Sequence, residues 1–394
     1  MENLVKNKVR LNNYKSHLFY LKYIIFVLKY IIILIYIKKA ATKRKSLIYF
    51  LSEIHLIISG SGNQSFLNDS FEFEPSEVIV NGIPRNECQK FCEFEKAENN
   101  VTLYFNENVT NCKYMFSQIF NLKEIDLSKF DCSSSTSMLD MFRNCTNLEK
   151  INFGNINTSS VRNMVSLFSN CVKLTSINVS SFDTSSVTSM YSTFYKCTSL
   201  KSIDLSNFNT KNVQLLRSFF NNCRALTSVD LSNFDTSKVT TMYLMFHYCR
   251  SLKRINLGNM NTSSVIEMRE MFSYCDKLES IDISSFNTFS VNTMHHMFFH
   301  CYELKTIKFS GTFNTINVVT MDGMFSHCQS LISLNLSFFD DRNVVNMGYM
   351  FNNCSKLKYL DISHFSPLNL QSLSSTFQNL SSLIFLNIYS LEIT

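Results

Sequence analysis

From about Tyr114 to the C-terminus the chain alternates between two hydrophobic rhythms. In Leu200-Lys-Ser-Ile203-Asp204-Leu205 the apolar positions alternate, which predicts a short strand with Ile203 and Leu205 on one face and Asp204 on the other. In the stretch before it Val187, Met190, Phe194 and Cys197 are spaced 3, 4 and 3, which predicts a short helix with a single apolar stripe. An Asp/Asn-Thr step, such as Asp183-Thr184 or Asn261-Thr262, separates the two. Its short polar side chains suit the open N–H groups of a first helical turn.

The alternation repeats with a fixed period. Cys145, Cys171, Cys197, Cys223, Cys249, Cys275 and Cys301 stand 26 residues apart; Cys328 follows after 27 and Cys354 after 26. The extra residue falls near Phe309–Phe313. Ile119 and Leu380 take the Cys position in an earlier and a later register, giving eleven in all. One unit cannot bury its own apolar side, whereas stacked units make a continuous core. The Leu-x-x-Ile-x-Leu pattern at this period is the signature of leucine-rich repeats. The expected fold is therefore α/β: a curved leucine-rich-repeat solenoid of about eleven 26-residue strand-helix units, with a parallel sheet on the concave side. The expected organisation is a basic, hydrophobic leader over 1–51, a β-rich N-terminal cap over 52–113 and the solenoid over 114–394.

The unit Met-Phe-x-x-Cys-x-x-Leu-x-x-Ile-Asp-Leu-Ser-x-Phe-Asp-Thr-x-x-Val-x-x-Met resembles the 26-residue repeat of BspA-like leucine-rich-repeat surface proteins, and Tyr243–Met268 matches it closely. The resemblance covers all eleven registers. It implies a cell-surface or secreted protein that acts in adhesion and binds host or matrix components, and it implies no activity. With the leader, the expectation is a cell-surface, membrane-anchored or secreted adhesion and interaction scaffold for a protein or glycan ligand, without catalysis. The alternative is an intracellular repeat scaffold for protein partners. The family's ligand-binding residues are not fixed by a motif, so none is carried over.

Composition sharpens this picture. The 394 residues include 36 Phe, 17 Met and 13 Cys, with only 8 Gly, 3 Pro and no Trp. Two repeat columns hold 19 of the Phe and two others hold 15 of the Met, so the excess is core and not a copper site. Buried thiols at one per repeat lack the C-x-x-C spacing of a metal site and read as small hydrophobes. The net charge of +6 divides unevenly: residues 1–45 hold 11 Lys/Arg and one Glu, leaving 26 basic and 30 acidic residues elsewhere. No basic stripe remains in the body, which excludes a nucleic-acid partner.

In the leader, Leu18–Ile37 is long enough to span a bilayer but carries Lys22 and Lys29. Lys43-Arg44-Lys45 followed by Leu47–Ile58 is an alternative signal peptide; Glu53 and His55 oppose it, and Ile54–Ile58 reads better as a strand. Within the cap, Val78–Val80 and Val101–Phe105 read as strands, and Cys88, Cys92 and Cys112 are candidates for a stapling disulfide such as Cys92–Cys112.

Candidate chemistry is sparse. His295, His296 and His300, with His327 one repeat on, have metal-ligand character but no carboxylate fixed beside them in the sequence, and they read as helix-surface residues. No metal, cofactor or catalytic motif is expected; a P-loop, a nucleophile elbow and a zincin motif are all missing. The polar position between the two core strand residues forms a column, Asp204, Asp230, Asn256 and Asp282 among its members, and it breaks at Lys308. A column shared by every repeat reads as structural. Its irregularities (Arg254, Lys305, Lys308, Tyr359) are the candidate specificity points on a ligand-binding face.

Overall fold

A computed structural model describes residues 52–388 and, before them, only Lys29. Contacts divide the chain into Met1–Leu51 and Ser52–Thr394. The span expected at Leu18–Ile37 lies outside the described residues. Among the described residues no helix is long and apolar enough to cross a membrane.

The strands in chain order are β1 (Ser52–Ser59), β2 (Gly62–Ser65), β3 (Glu77–Val80), β4 (Ile83–Pro84), β5 (Phe91–Phe94), β6 (Glu98–Phe105), β7 (Leu122–Lys129), β8 (Lys150–Asn152), β9 (Ser228–Asp230), β10 (Arg254–Asn256), β11 (Ser280–Asp282), β12 (Thr306–Lys308), β13 (Tyr359–Asp361) and β14 (Phe385–Asn387). From β7 onward each strand belongs to one turn of a solenoid. The pairs β7–β8, β9–β10, β11–β12 and β13–β14 are parallel and in register, as in Ile255 beside Val229. A second parallel ladder runs through Ser137, Asn163, Ser189, Leu215, Thr241, Glu267, Thr293, Thr320, Asn346 and Ser372.

The expected helices are not there: none of residues 52–388 is helical. The backbone from Met190 to Cys197 shows why. Met190, Ser192, Phe194 and Lys196 donate their N–H groups to Leu215, Arg217, Phe219 and Asn221 of the following repeat. The N–H groups between them, of Thr193, Tyr195 and Cys197, close three-residue steps back to Met190, Ser192 and Phe194. An α-helix needs each N–H to reach four residues back. Here half of them are spent on the neighbouring coil. Ser192 and Lys196 also take left-handed φ values of 55° and 56°, and the same two positions do so in repeat after repeat. A left-handed non-glycine residue costs about 1–2 kcal/mol and cannot continue a right-handed helix. The apolar residues at 3, 4, 3 spacing still point inward: Val187, Met190, Phe194 and Cys197 are fully buried. Successive tight turns thus reproduce a helical stripe without a helix, and the fold is a β-solenoid.

The core is built of columns. Phe116, Phe142, Phe168, Phe194, Phe220, Phe246, Phe272, Phe298, Phe325, Phe351 and Phe377 stack ring on ring, with centroids 5.4–6.3 Å apart. The repeat cysteines are free and buried. Each thiol also reaches the carbonyl of the Phe 29 or 30 residues earlier, as in Cys197 Sγ to Phe168 O at 3.1 Å and Cys328 Sγ to Phe298 O at 3.2 Å. They are therefore donors as well as hydrophobes. Burial pushes the Cys197 thiol up to about 12, which keeps it protonated and able to donate.

The Asp/Asn-Thr step is a corner rather than a helix cap. Asp183 Oδ1 accepts the N–H of Ser185 at 2.9 Å. The buried Thr184 hydroxyl donates to the Asn209 carbonyl at 3.0 Å and accepts the Asn209 N–H at 2.8 Å. The same pattern recurs at Thr158, Thr288 and Thr315, tying each corner to the next.

The N-terminal end is closed by a sheet of order β4-β3-β6-β1-β7-β8. β1 runs antiparallel to both β6 and β7, so it occupies the edge that the first repeat strand would otherwise expose. Its Ile54, Leu56 and Ile58 are buried. The disulfide joins Cys88 to Cys92. Cys112, expected as a partner, is a free, fully buried thiol raised to about 12 by burial. Its backbone N–H bonds Ser137 O of the adjoining repeat, which commits it to the solenoid.

Candidate functional site

Each three-residue strand from β8 to β13 exposes its first and last side chains and turns its middle one inward. In β10, Arg254 and Asn256 are exposed and Ile255 is half-buried; β9, β11 and β13 expose their end residues in the same way. Arg254, Asn256, Asp230, Asp282, Lys308 and Tyr359 thus lie at the exposed ends of short parallel strands, with Lys305 exposed one residue before β12. Tyr359 shows 54% of its surface.

The geometry separates these residues by role. Asp204, Asp230, Asn256 and Asp282 each accept, through Oδ1, the backbone N–H two residues on, at 2.8–3.2 Å. This bond turns the chain out of the strand, and it recurs at Asp126, Asn152, Asn178, Asn335 and Asp361. The column is structural, and it is the other terminal atom, an Asp Oδ2 or an Asn Nδ2, that meets the neighbouring repeat. Asn256 donates to Asp230 Oδ2 at 3.0 Å, and Lys308 reaches Asp282 Oδ2 at 2.8 Å. Lys308, followed by the Ser284 hydroxyl and N–H, lowers the Asp282 carboxyl to about 2. Lys305 pairs with Glu279 at 3.3 Å. Such exposed pairs hold the surface charge in place while adding little stability.

The strand face also carries a trough that motif reading did not reveal. About 620 Å³ in volume, it crosses the middle of β6, β1, β7 and β8, and its rim includes His55, Asn100, Thr102, Glu124, Lys150 and Asn152. Ile57, Ile125 and Ile151 supply apolar floor. His55 Nδ1 lies 3.1 Å from Thr102 Oγ1, and its Nε2 lies 2.7 Å from Glu53. Lys150 stands 3.5 Å from Glu124, and Asn152 donates to Asp126 at 3.0 Å. Burial works against the Asp126 charge, but bonds from Ser128 and Asn152 and the nearby His55 outweigh it and hold the carboxyl below its usual range. The trough exists because an antiparallel cap strand meets a parallel repeat strand. That register is invisible in the repeat pattern, since β1 lies outside it; the alternation of β1 is the one signal the sequence offered.

The trough offers hydrogen-bond donors and acceptors of both charges over an apolar floor, which suits binding of a polar ligand. It does not bring the candidate residues 204–359 to one point; they are distributed along the strand face.

No curated protein matches the chain. Among solved structures the chain is similar to a leucine rich cell surface protein from Faecalibacterium prausnitzii A2-165, at 16% identity and a TM-score of 0.35, covering 69% of this chain and 81% of that one. It is also similar to the TLR13–ssRNA13 complex, at 14% identity and a TM-score of 0.21, covering 62% of this chain and 48% of that one. Both superpositions are loose, and the solenoid assignment rests on the hydrogen-bond ladders above. The family described as "Mycoplasma protein of unknown function, DUF285" matches over residues 86–202, 148–253, 170–277, 216–309 and 304–391. These overlapping matches take in most of the repeat body, and the chain belongs to that family.

Proposed function

We propose that this protein is a cell-surface or secreted binding scaffold of the BspA-like kind, which presents the strand face of its solenoid to a protein or glycan ligand without chemical turnover. The observation that carries this reading is the continuous exposed polar face, which begins at the trough over β6, β1, β7 and β8 and extends along the repeat strands. Specificity on that face comes from the irregular residues Arg254, Lys305, Lys308 and Tyr359 and from the trough residues His55, Glu124 and Lys150, because the Asp/Asn column is committed to turning the backbone. The Cys88–Cys92 disulfide supports an oxidising environment.

Two measurements test the reading. External protease applied to intact cells should digest the repeat body; complete protection would overturn surface exposure. The full-length chain should bind members of a glycan and matrix-protein array, with loss of binding in a Lys150→Ala/Tyr359→Ala variant. Binding that ignores both substitutions would remove the strand face as the site.

A further inference from the structure

We propose that His295, His296 and Asp322 form a site for a divalent transition-metal ion of the zinc class, on the turn side of the solenoid. This inference is independent of the ligand-binding reading above.

Consecutive residues in extended chain send their side chains to opposite faces. His295 and His296 do not, because His296 sits at one of the left-handed positions, with φ 53°. Their rings lie face to face, with centroids 3.8 Å apart and planes inclined by 22°. The next repeat brings Asp322 beside them, with Oδ2 2.7 Å from His295 Nδ1. The other carboxylate oxygen accepts from the Thr320 hydroxyl, which fixes the orientation of the group. One ligand atom from each of the three residues lies within 4.8 Å of the others. Zinc binds nitrogen and oxygen at about 2.0–2.2 Å, so small side-chain rotations close the set on an ion. Two imidazoles and one carboxylate suit zinc among the divalent metals.

The neighbouring repeats lack this set. At the places of His295 and His296 the preceding repeat has Arg269 and Glu270, and the following one has Asp322 and Gly323. Gly323 occupies a left-handed position that most repeats fill with a side chain, at φ 58°. A Cβ there would run into Cδ2 and Nε2 of His296. The ring therefore has its place because the next repeat gives up a side chain. The sequence alone fixed no carboxylate beside these histidines; the one-repeat offset to Asp322 is what places it.

All three residues are half-buried.

The test uses the full-length chain at pH 7, titrated with Zn²⁺ against a competing chelator and, separately, with Co²⁺ observed by visible absorption. One ion per chain is expected, with cobalt bands free of thiolate charge transfer. His296→Ala and Asp322→Asn should each weaken Zn²⁺ at least about 10-fold, as should Gly323→Ala, which pushes against the His296 ring. Thermal melting in metal-free buffer should match the parent for Asp322→Asn, which keeps the shape of the side chain and decides the matter if an alanine variant fails to fold. Equal affinity in the parent and Asp322→Asn, or an ion retained in a His295→Ala/His296→Ala double variant, would overturn the assignment. So would no binding at all.

Discussion

The first and the last described coils of the solenoid have different surroundings. At the N-terminal end β1 lies antiparallel along β7, and Ile54, Leu56 and Ile58 are buried beneath the cap. At the other end, among the described residues, β14 has a partner on one side only, and Leu386 and Ile388 are 36% and 41% exposed, with Phe385 and Ile384 more so. The columns themselves continue to Phe377, whose ring still stacks on Phe351 at 6.3 Å, but it is no longer buried. In a solenoid each coil is stabilised by its two neighbours, so a column residue contributes according to how many neighbours it has. The same residue type in the same column should therefore matter most in the middle, and the cap should matter as a neighbour would.

That comparison can be broken by graded substitutions. The largest loss is expected for Phe246→Ala, whose ring is stacked between Phe220 and Phe272 at 5.8 and 5.6 Å. Chemical denaturation should show about 3–5 kcal/mol. Phe377→Ala should show much less, and an equal loss would refute the neighbour argument. Leu56→Ala, beneath the cap at 2% exposure, should cost about 2–5 kcal/mol. Hydrogen exchange should then rise first in β7 and β8; uniform exchange across all repeats would mean that β1 does not act as a neighbour. Thr184→Val keeps the corner's shape but strands the Asn209 N–H and carbonyl, for about 1–3 kcal/mol in the same denaturation assay. At the bottom of the scale, Leu386→Ser should change stability by less than about 0.5 kcal/mol, as exposed positions usually do. A large drop there would show that the exposed end is covered in solution.

Much of this was legible in the sequence, and the reasons are specific. The register of Cys145 to Cys354 and the Leu and Phe columns placed the core of the repeat body, such as Phe194, Cys197 and Leu200, because their burial follows side-chain spacing; Phe66, Leu67 and Phe71 of the cap lie outside that register. Ile54–Ile58, Val78–Val80 and Val101–Phe105 were legible as strands through their short runs of apolar and β-branched residues. The backbone of the second half-unit was not legible. A 3, 4, 3 spacing is shared by a helix and by consecutive tight turns, and only the destination of the N–H groups separates them. Left-handed φ at Ser192, Lys196, Leu244 or Glu270 carries no mark, since none of these residues prefers it. The site suffered in the same way. Asp204 and its column were visible as a polar ladder, but their commitment to the N–H two residues on needed coordinates. The trough depended on the β1–β7 register, and the Cys88–Cys92 pairing on the course of the cap loop.

The thiol-to-carbonyl bonds have a practical consequence. Every coil from Cys145 to Cys354 carries one sulfhydryl that is sealed in the core and held protonated. Such a group is inert to alkylating reagents until its own coil opens. The chain is thus supplied with nine evenly spaced chemical clocks. The order in which they are labelled would trace fraying along the molecule, one coil at a time, without the introduction of a single probe.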